Sequence, residues 1–172
     1  MPTSSKPRKR YRPKPILTDP VGYVVEGFTQ LTNHDSYLLD LKIRNGLSMT
    51  QLLHGKATKS DMNNLIAMSN IVEALVQGGF GKEYEEIAIA GRFAILSIIY
   101  RSVERLKFIP TGPEIKSLQE LQELHDAQME TITVRDMEAA LARAKWQIAN
   151  DKDVVKLPKM PEVLAQHLKE AA

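Results

Sequence analysis

The stretch SSKPRKRYRPKP, residues 4–15, sets Lys6, Arg8, Lys9, Arg10, Arg12 and Lys14 around Tyr11 without a single acid. Guanidinium and ammonium groups at this density follow a run of phosphates and release condensed counterions, and a tyrosine among them stacks on an exposed base. These seven residues are the candidate nucleic-acid contacts. The alternative partner for such a leader is an acidic protein surface, and a charged, proline-rich terminus is also compatible with simple solvation. No other segment is comparably basic. The remaining 157 residues hold 17 basic and 21 acidic side chains, a balance of −4, so attraction to a polyanion must come from the leader.

Three further constellations have the residue types for chemistry. The dipeptides His34-Asp35 and His125-Asp126 resemble the ligand pairs of helical HD-type metal phosphohydrolases, but such a site needs at least four converging ligands, and His54 and His167 fall at a helix end and in the tail. Their simpler reading is Asp35 as a helix cap and His125 as a boundary residue beside an apolar stripe. GGFGK at 78–82 contains glycines and a lysine, yet it follows a predicted helix and lacks the GxxxxGK[ST] spacing, so its expected role is to end one helix and reverse into the next. The run from Glu114 to Glu138 carries Glu114, Glu120, Glu123, Asp126, Glu130, Asp136 and Glu138 against Lys116 and Arg135. A solvated helix face accounts for it, and a basic partner or the chain's own leader is the functional alternative. No zinc-protease motif, nucleophile elbow or cofactor fingerprint is present, so no catalytic residue, metal or cofactor is expected.

The elements that position these residues read as helices throughout. Prolines 2, 7, 13 and 15 keep residues 1–15 out of helix and favour extended backbone. A first helix is predicted from Asp19 and Pro20, with Val21, Val24, Val25, Phe28 and Leu31 at helical spacing. The second starts near Asp35 or Ser36, carries Leu38, Leu39, Leu41 and Ile43, and ends before Gly55, with Asn45-Gly46 as an expected break or kink. Thr58 and Asp61 have capping-box spacing ahead of a third helix bearing Met62, Leu65, Ile66, Ile71, Val72, Leu75 and Val76. The fourth, KEYEEIAIAGRFAILSIIYRSVERLKF, is the most apolar, and its residues wrap so much of the circumference that it is expected at the centre of the fold. Pro113 opens a fifth helix striped by Ile115, Leu118, Leu121 and Leu124; Thr133 and Asp136 open a sixth, running to about Ala149. Residues 151–172 form a linker, LPKMP, and a short helix onto which Trp146 is expected to anchor.

YRPKPILTDPVGYVVEG, HDSYLLDLKIRN, GKATKSDMNNLIAMSNIVEAL and LHDAQMETITVRDMEAAL together resemble small proteins of unassigned function encoded in proteobacterial genomes and their phages, over about residues 10–148. The resemblance implies a bacterial, mobile-element setting and a helical fold. It carries over no functional residue.

At 172 residues, 43% hydrophobic and 26% charged, the chain is expected to be one all-α domain, with residues 1–15 as a basic arm, 16–150 as a helical bundle and 151–172 as linker and tail. Zero cysteines exclude disulfides, thiolate catalysis and cysteine zinc sites. FAILSIIY at 93–100, bounded by Arg92 and Arg101, is far short of the roughly 20 residues a bilayer requires. Pro13, Pro15, Asp19 and Pro20 interrupt any signal-like run, and the expected location is cytoplasmic. The functional expectation is a non-enzymatic accessory or regulatory protein that binds nucleic acid through its arm without strong sequence preference. Its competitor is a protein-binding helical adaptor or inhibitor, possibly homo-oligomeric, working through helix faces. The seven methionines are expected in the core more than on an adaptable surface.

Overall fold

Helix boundaries in this protein are set by short-range chemistry that the sequence announces. The computed structural model describes residues 25–150, Lys152 and Val155; the leader, most of the predicted first helix and the predicted C-terminal helix lie outside the described residues. Within them run five α-helices: α1 Asp35–Leu53, α2 Lys59–Gln77, α3 Glu85–Arg105, α4 Gly112–Thr131 and α5 Val134–Asn150. No strand is present among them; the one extended contact is an isolated antiparallel bridge between Gln30 and Thr133.

The predicted Thr58–Asp61 box forms. Thr58 N–H donates to the Asp61 carboxylate at 2.8 Å, and Asp61 N–H donates to the Thr58 hydroxyl at 3.3 Å. Hydrogen bonds from the Thr58 hydroxyl and N–H, with a further one from Ser48 on α1, hold the Asp61 carboxyl below its ordinary value. Thr133 and Asp136 make the same box at the start of α5. A third box, Thr111 with Glu114, caps α4. Helix ends are equally local. After α1, Gly55 takes φ +65° while Lys56 N–H reaches the Gln51 carbonyl; after α2, Gly79 takes φ +100° while Phe80 N–H reaches the Leu75 carbonyl. Both are the six-to-one closure that a left-handed glycine permits, so GGFG is a helix stop. At the end of α3 the left-handed position is held by Leu106, φ +56°, a residue half exposed. Leu106→Gly should therefore raise stability by about 1 kcal/mol, read as a higher urea midpoint, because it relieves strain while surrendering little burial.

Four expectations change. Helix in the first segment stops at Gly27, and Leu31 enters the core from a 3₁₀ turn, Leu31–Asn33, while Val25 and Phe28 are exposed. The cause is tertiary: Leu31 N–H donates to the Ile132 carbonyl and Val134 N–H to the Thr29 carbonyl, which pulls this segment out of helix and onto the α4–α5 junction. Asn45-Gly46 neither breaks nor kinks α1, because Asn45 points inward and is buried, with the helix continuous past it. Asp35 is the first helical residue instead of the cap, which is His34. The central helix is α2, not α3.

From Leu65 to Val76 every residue of α2 except Ala67 is buried, including Ser69, Asn70 and Glu73. One side of α2 packs with Leu52 of α1, Ala94, Ile95, Ile98 and Ile99 of α3, and Leu118 and Leu121 of α4. The other, through Ile71, Ala74 and Leu75, packs with Leu31, Met129, Ile132, Met137 and Ala140. Met49, Met62, Met68, Met129 and Met137 are all buried, as core filling requires.

Candidate interaction surface on the third helix

None of the predicted nucleic-acid contacts, Lys6, Arg8, Lys9, Arg10, Tyr11, Arg12 and Lys14, falls among the described residues. The histidine pairs do, and they stay apart in role. His34 is half-buried at the start of α1. His125 is completely buried in α4, not at a boundary; its Nδ1 lies 3.2 Å from the Asp126 carboxylate, and its Nε2 has no hydrogen-bond partner among the described residues. No group of three or more His, Asp or Glu among the described residues is arranged to hold a metal ion.

The acidic run disperses once folded. Glu114 forms a two-pronged ion pair with Arg101 of α3, Glu130 pairs with Lys42 of α1 at 3.3 Å, Glu120 with Lys116 at 3.8 Å, and Asp136 is consumed as a cap. The Arg101 guanidinium, which also donates to the Ile109 carbonyl, ties the end of α3 to the start of α4. Its hydrogen bonds, aided by the Thr111 N–H, lower the Glu114 carboxyl from 4.5 to about 2. A carboxylate with a depressed folded value adds stability that is full above its unfolded value and lost as pH falls through the folded one. Between about pH 4.5 and pH 2 the wild-type chain should lose about 1–2 kcal/mol from this pair after solvent screening, and Glu114→Gln should flatten that part of the curve in urea titrations.

What α3 leaves uncovered is the most ordered surface feature. Ala88, Ile95, Ile98 and Ile99 face the core, and Gly91 abuts Leu121 of α4. On the opposite edge stand Ile89, Phe93, Leu96, Tyr100 and Val103, spaced 4-3-4-3. Phe93 is 58% and Tyr100 69% exposed, Val103 is exposed, and Ile89 and Leu96 are half-buried. Arg92 holds this edge in place: its guanidinium pairs with Glu73 of α2 at 2.9 Å and lies 5.5 Å from the Phe93 ring centroid. A second, shorter row, Leu39, Ile43 and Leu47, is exposed along α1.

The stripe was within reach of sequence reasoning. Its 4-3-4-3 spacing sits beside the core spacing in the same 15 residues, and the apolar wrapping that marked α3 as central is the sum of the two. Trp146 is likewise more than half exposed, with the Lys152 ammonium 5.4 Å from its ring. Among the described residues, no helix is long and apolar enough to cross a membrane. Comparison with known proteins adds no relative: no family model matches the chain, and neither a curated protein nor a solved structure does.

Proposed function

We propose that the protein is a non-enzymatic adaptor whose helical body binds protein through the outer edge of α3, with the basic leader as an accessory polyanion contact. The observation that carries this is the stripe itself: two aromatic rings and three aliphatic side chains at heptad spacing, on a helix whose opposite edge already fills the core. Monomers seldom leave such a row facing water, and aromatic side chains are the usual anchors of protein contacts. The two rings stand on a rigid helix clamped at Glu73 and Glu114, so little ordering entropy opposes binding. Tyr100→Glu, at a position that contributes little to the fold, should abolish the chain's complexes in native extract of its host while leaving its melting temperature unchanged. Complexes that survive Tyr100→Glu would overturn the reading.

The leader supports the second reading, contact with nucleic acid, by its six cations against a body of net −4. If all six meet phosphates, log affinity for an oligonucleotide falls with log salt at a slope of about −5, a thousandfold loss over a fourfold rise in salt. Deleting residues 1–15 should remove that binding altogether, and an unchanged affinity would take the leader out of the mechanism.

A further inference from the structure

We infer that the occupant of the α3 edge is the α3 edge of a second copy, the two helices running antiparallel about a twofold axis near the Leu96–Tyr100 turn. This rests on the reading of that edge as a protein contact and adds what the partner is. The argument is self-complementarity. An isologous pair requires that the same surface fit itself after a half-turn, which exchanges the two ends of the helix. On α3 the ends carry opposite charge: Glu85 and Glu86 at the start, Arg105 and Lys107 at and just past the finish, all four exposed and none ion-paired among the described residues. Antiparallel packing sets each acidic end against the partner's basic end, while parallel packing sets like against like. Nearer the axis, where like charges would meet, Arg92 and Arg101 are already neutralised by Glu73 and Glu114.

Shape agrees with charge. Phe93 and Tyr100 lie on either side of the proposed axis, so the half-turn brings each ring toward the other ring of the partner, and Leu96 packs between them. Ala90 and Ser97 flank the stripe with small side chains that let two helices approach closely. The α1 row has no comparable charge reversal and only three members. One helix pair covers less than the ~800 Å² per partner of a standard interface, so dissociation in the micromolar range is expected.

Sedimentation equilibrium of the full chain from about 1 to 300 µM should show mass rising from one chain to two. Tyr100→Glu should hold it at one chain with an unchanged melting curve. The variants Glu85→Lys/Glu86→Lys and Arg105→Glu/Lys107→Glu should each dimerise more weakly, and an equimolar mixture should recover dimer, because each then meets its complement. With no native cysteine, orientation is read directly: Ser97→Cys should cross-link to itself on oxidation, whereas Ala90→Cys, about two turns from the axis, should not. Equal cross-linking of both would overturn the antiparallel arrangement. A chain monomeric throughout, or a dimer indifferent to Tyr100→Glu, would overturn the pair. So would a full chain that is monomeric and becomes dimeric when ended at Val155, since the chain's own tail would then be the occupant. If the purified chain is monomeric yet its complex in host extract is lost with Tyr100→Glu, the adaptor reading stands and the second copy does not.

Discussion

Gly91→Leu should lower unfolding free energy by about 4 kcal/mol, seen as a large drop in urea midpoint, because α3 and α4 meet with no room for a side chain at this position. A Cβ placed on Gly91 would stand 2.7 Å from Leu121 Cδ2, 2.9 Å from Leu121 Cβ and 3.0 Å from Leu121 Cδ1. The terminal methyls can rotate away; Cβ cannot, since it is fixed to the α4 backbone, and Leu121 is itself completely buried. The helices must separate or the new side chain must distort one of them. Gly91→Ala puts two effects in opposition: alanine gains about 1 kcal/mol of helix propensity, and overpacking costs about 1–3 kcal/mol, for a net loss of about 1 kcal/mol. Gly46 supplies the control, being a mid-helix glycine of α1 with nothing within 4 Å of its would-be Cβ. Gly46→Ala should stabilise by about 1 kcal/mol. Two identical substitutions of opposite sign would locate the effect in the α3–α4 seam; equal stabilisation would refute a close seam.

That seam also explains why the sequence misleads about the centre of the fold. Apolar density along α3 reports everything the helix buries or offers, against its own chain or another, and cannot say which. α2 is the converse case. Ser69, Asn70 and Glu73 dilute its apolar pattern, yet they are buried because partners distant in sequence satisfy or surround them. The signals that read correctly were all local: two Thr/Asp boxes closing over three residues, and glycines at φ near +65° to +100° closing a helix over five. Those that failed were the ones that needed a partner far along the chain. The end of the first helix depends on Ile132, and the burial of Asn45 on helices packed across it. The Thr111–Glu114 box was local as well, but Pro113 drew the reading one step past it, and the Arg101 half of that junction is not local at all. For the functional surface, the leader was conspicuous by composition, whereas the α3 edge required knowing which apolar residues the core had already taken.

The contact with the greatest separation along the chain gives the other large effect. Asn70→Leu should cost about 3 kcal/mol, because Asn70 is the sole hydrogen-bond partner shown for both backbone groups of Val155. Its Oδ1 accepts from Val155 N–H at 3.1 Å, and its Nδ2 donates to the Val155 carbonyl at 3.3 Å. Val155 is 1% exposed and packs in the same cluster as Ile66, Ile95 and Ile98, so water cannot replace the lost amide. Leucine fills a similar volume, which leaves the unpaired N–H and carbonyl as the main loss. Released backbone should also become a protease target: trypsin cleavage after Lys152 should accelerate in the variant under native conditions, in step with the loss of anchoring. Non-additivity separates this from a general softening of α2. In a chain ended at Lys152 the orphaned groups do not exist, so Asn70→Leu should there cost less than about 1 kcal/mol, and the two changes together should fall well short of their sum. Full additivity would mean that the amide supports α2 by itself and that the clasp on Val155 contributes nothing. If the clasp holds, the chain is pinned at residue 155 one helical turn from Glu73, whose ion pair with Arg92 secures the α3 edge. Anchoring of the tail and presentation of that edge then depend on the same buried face of α2.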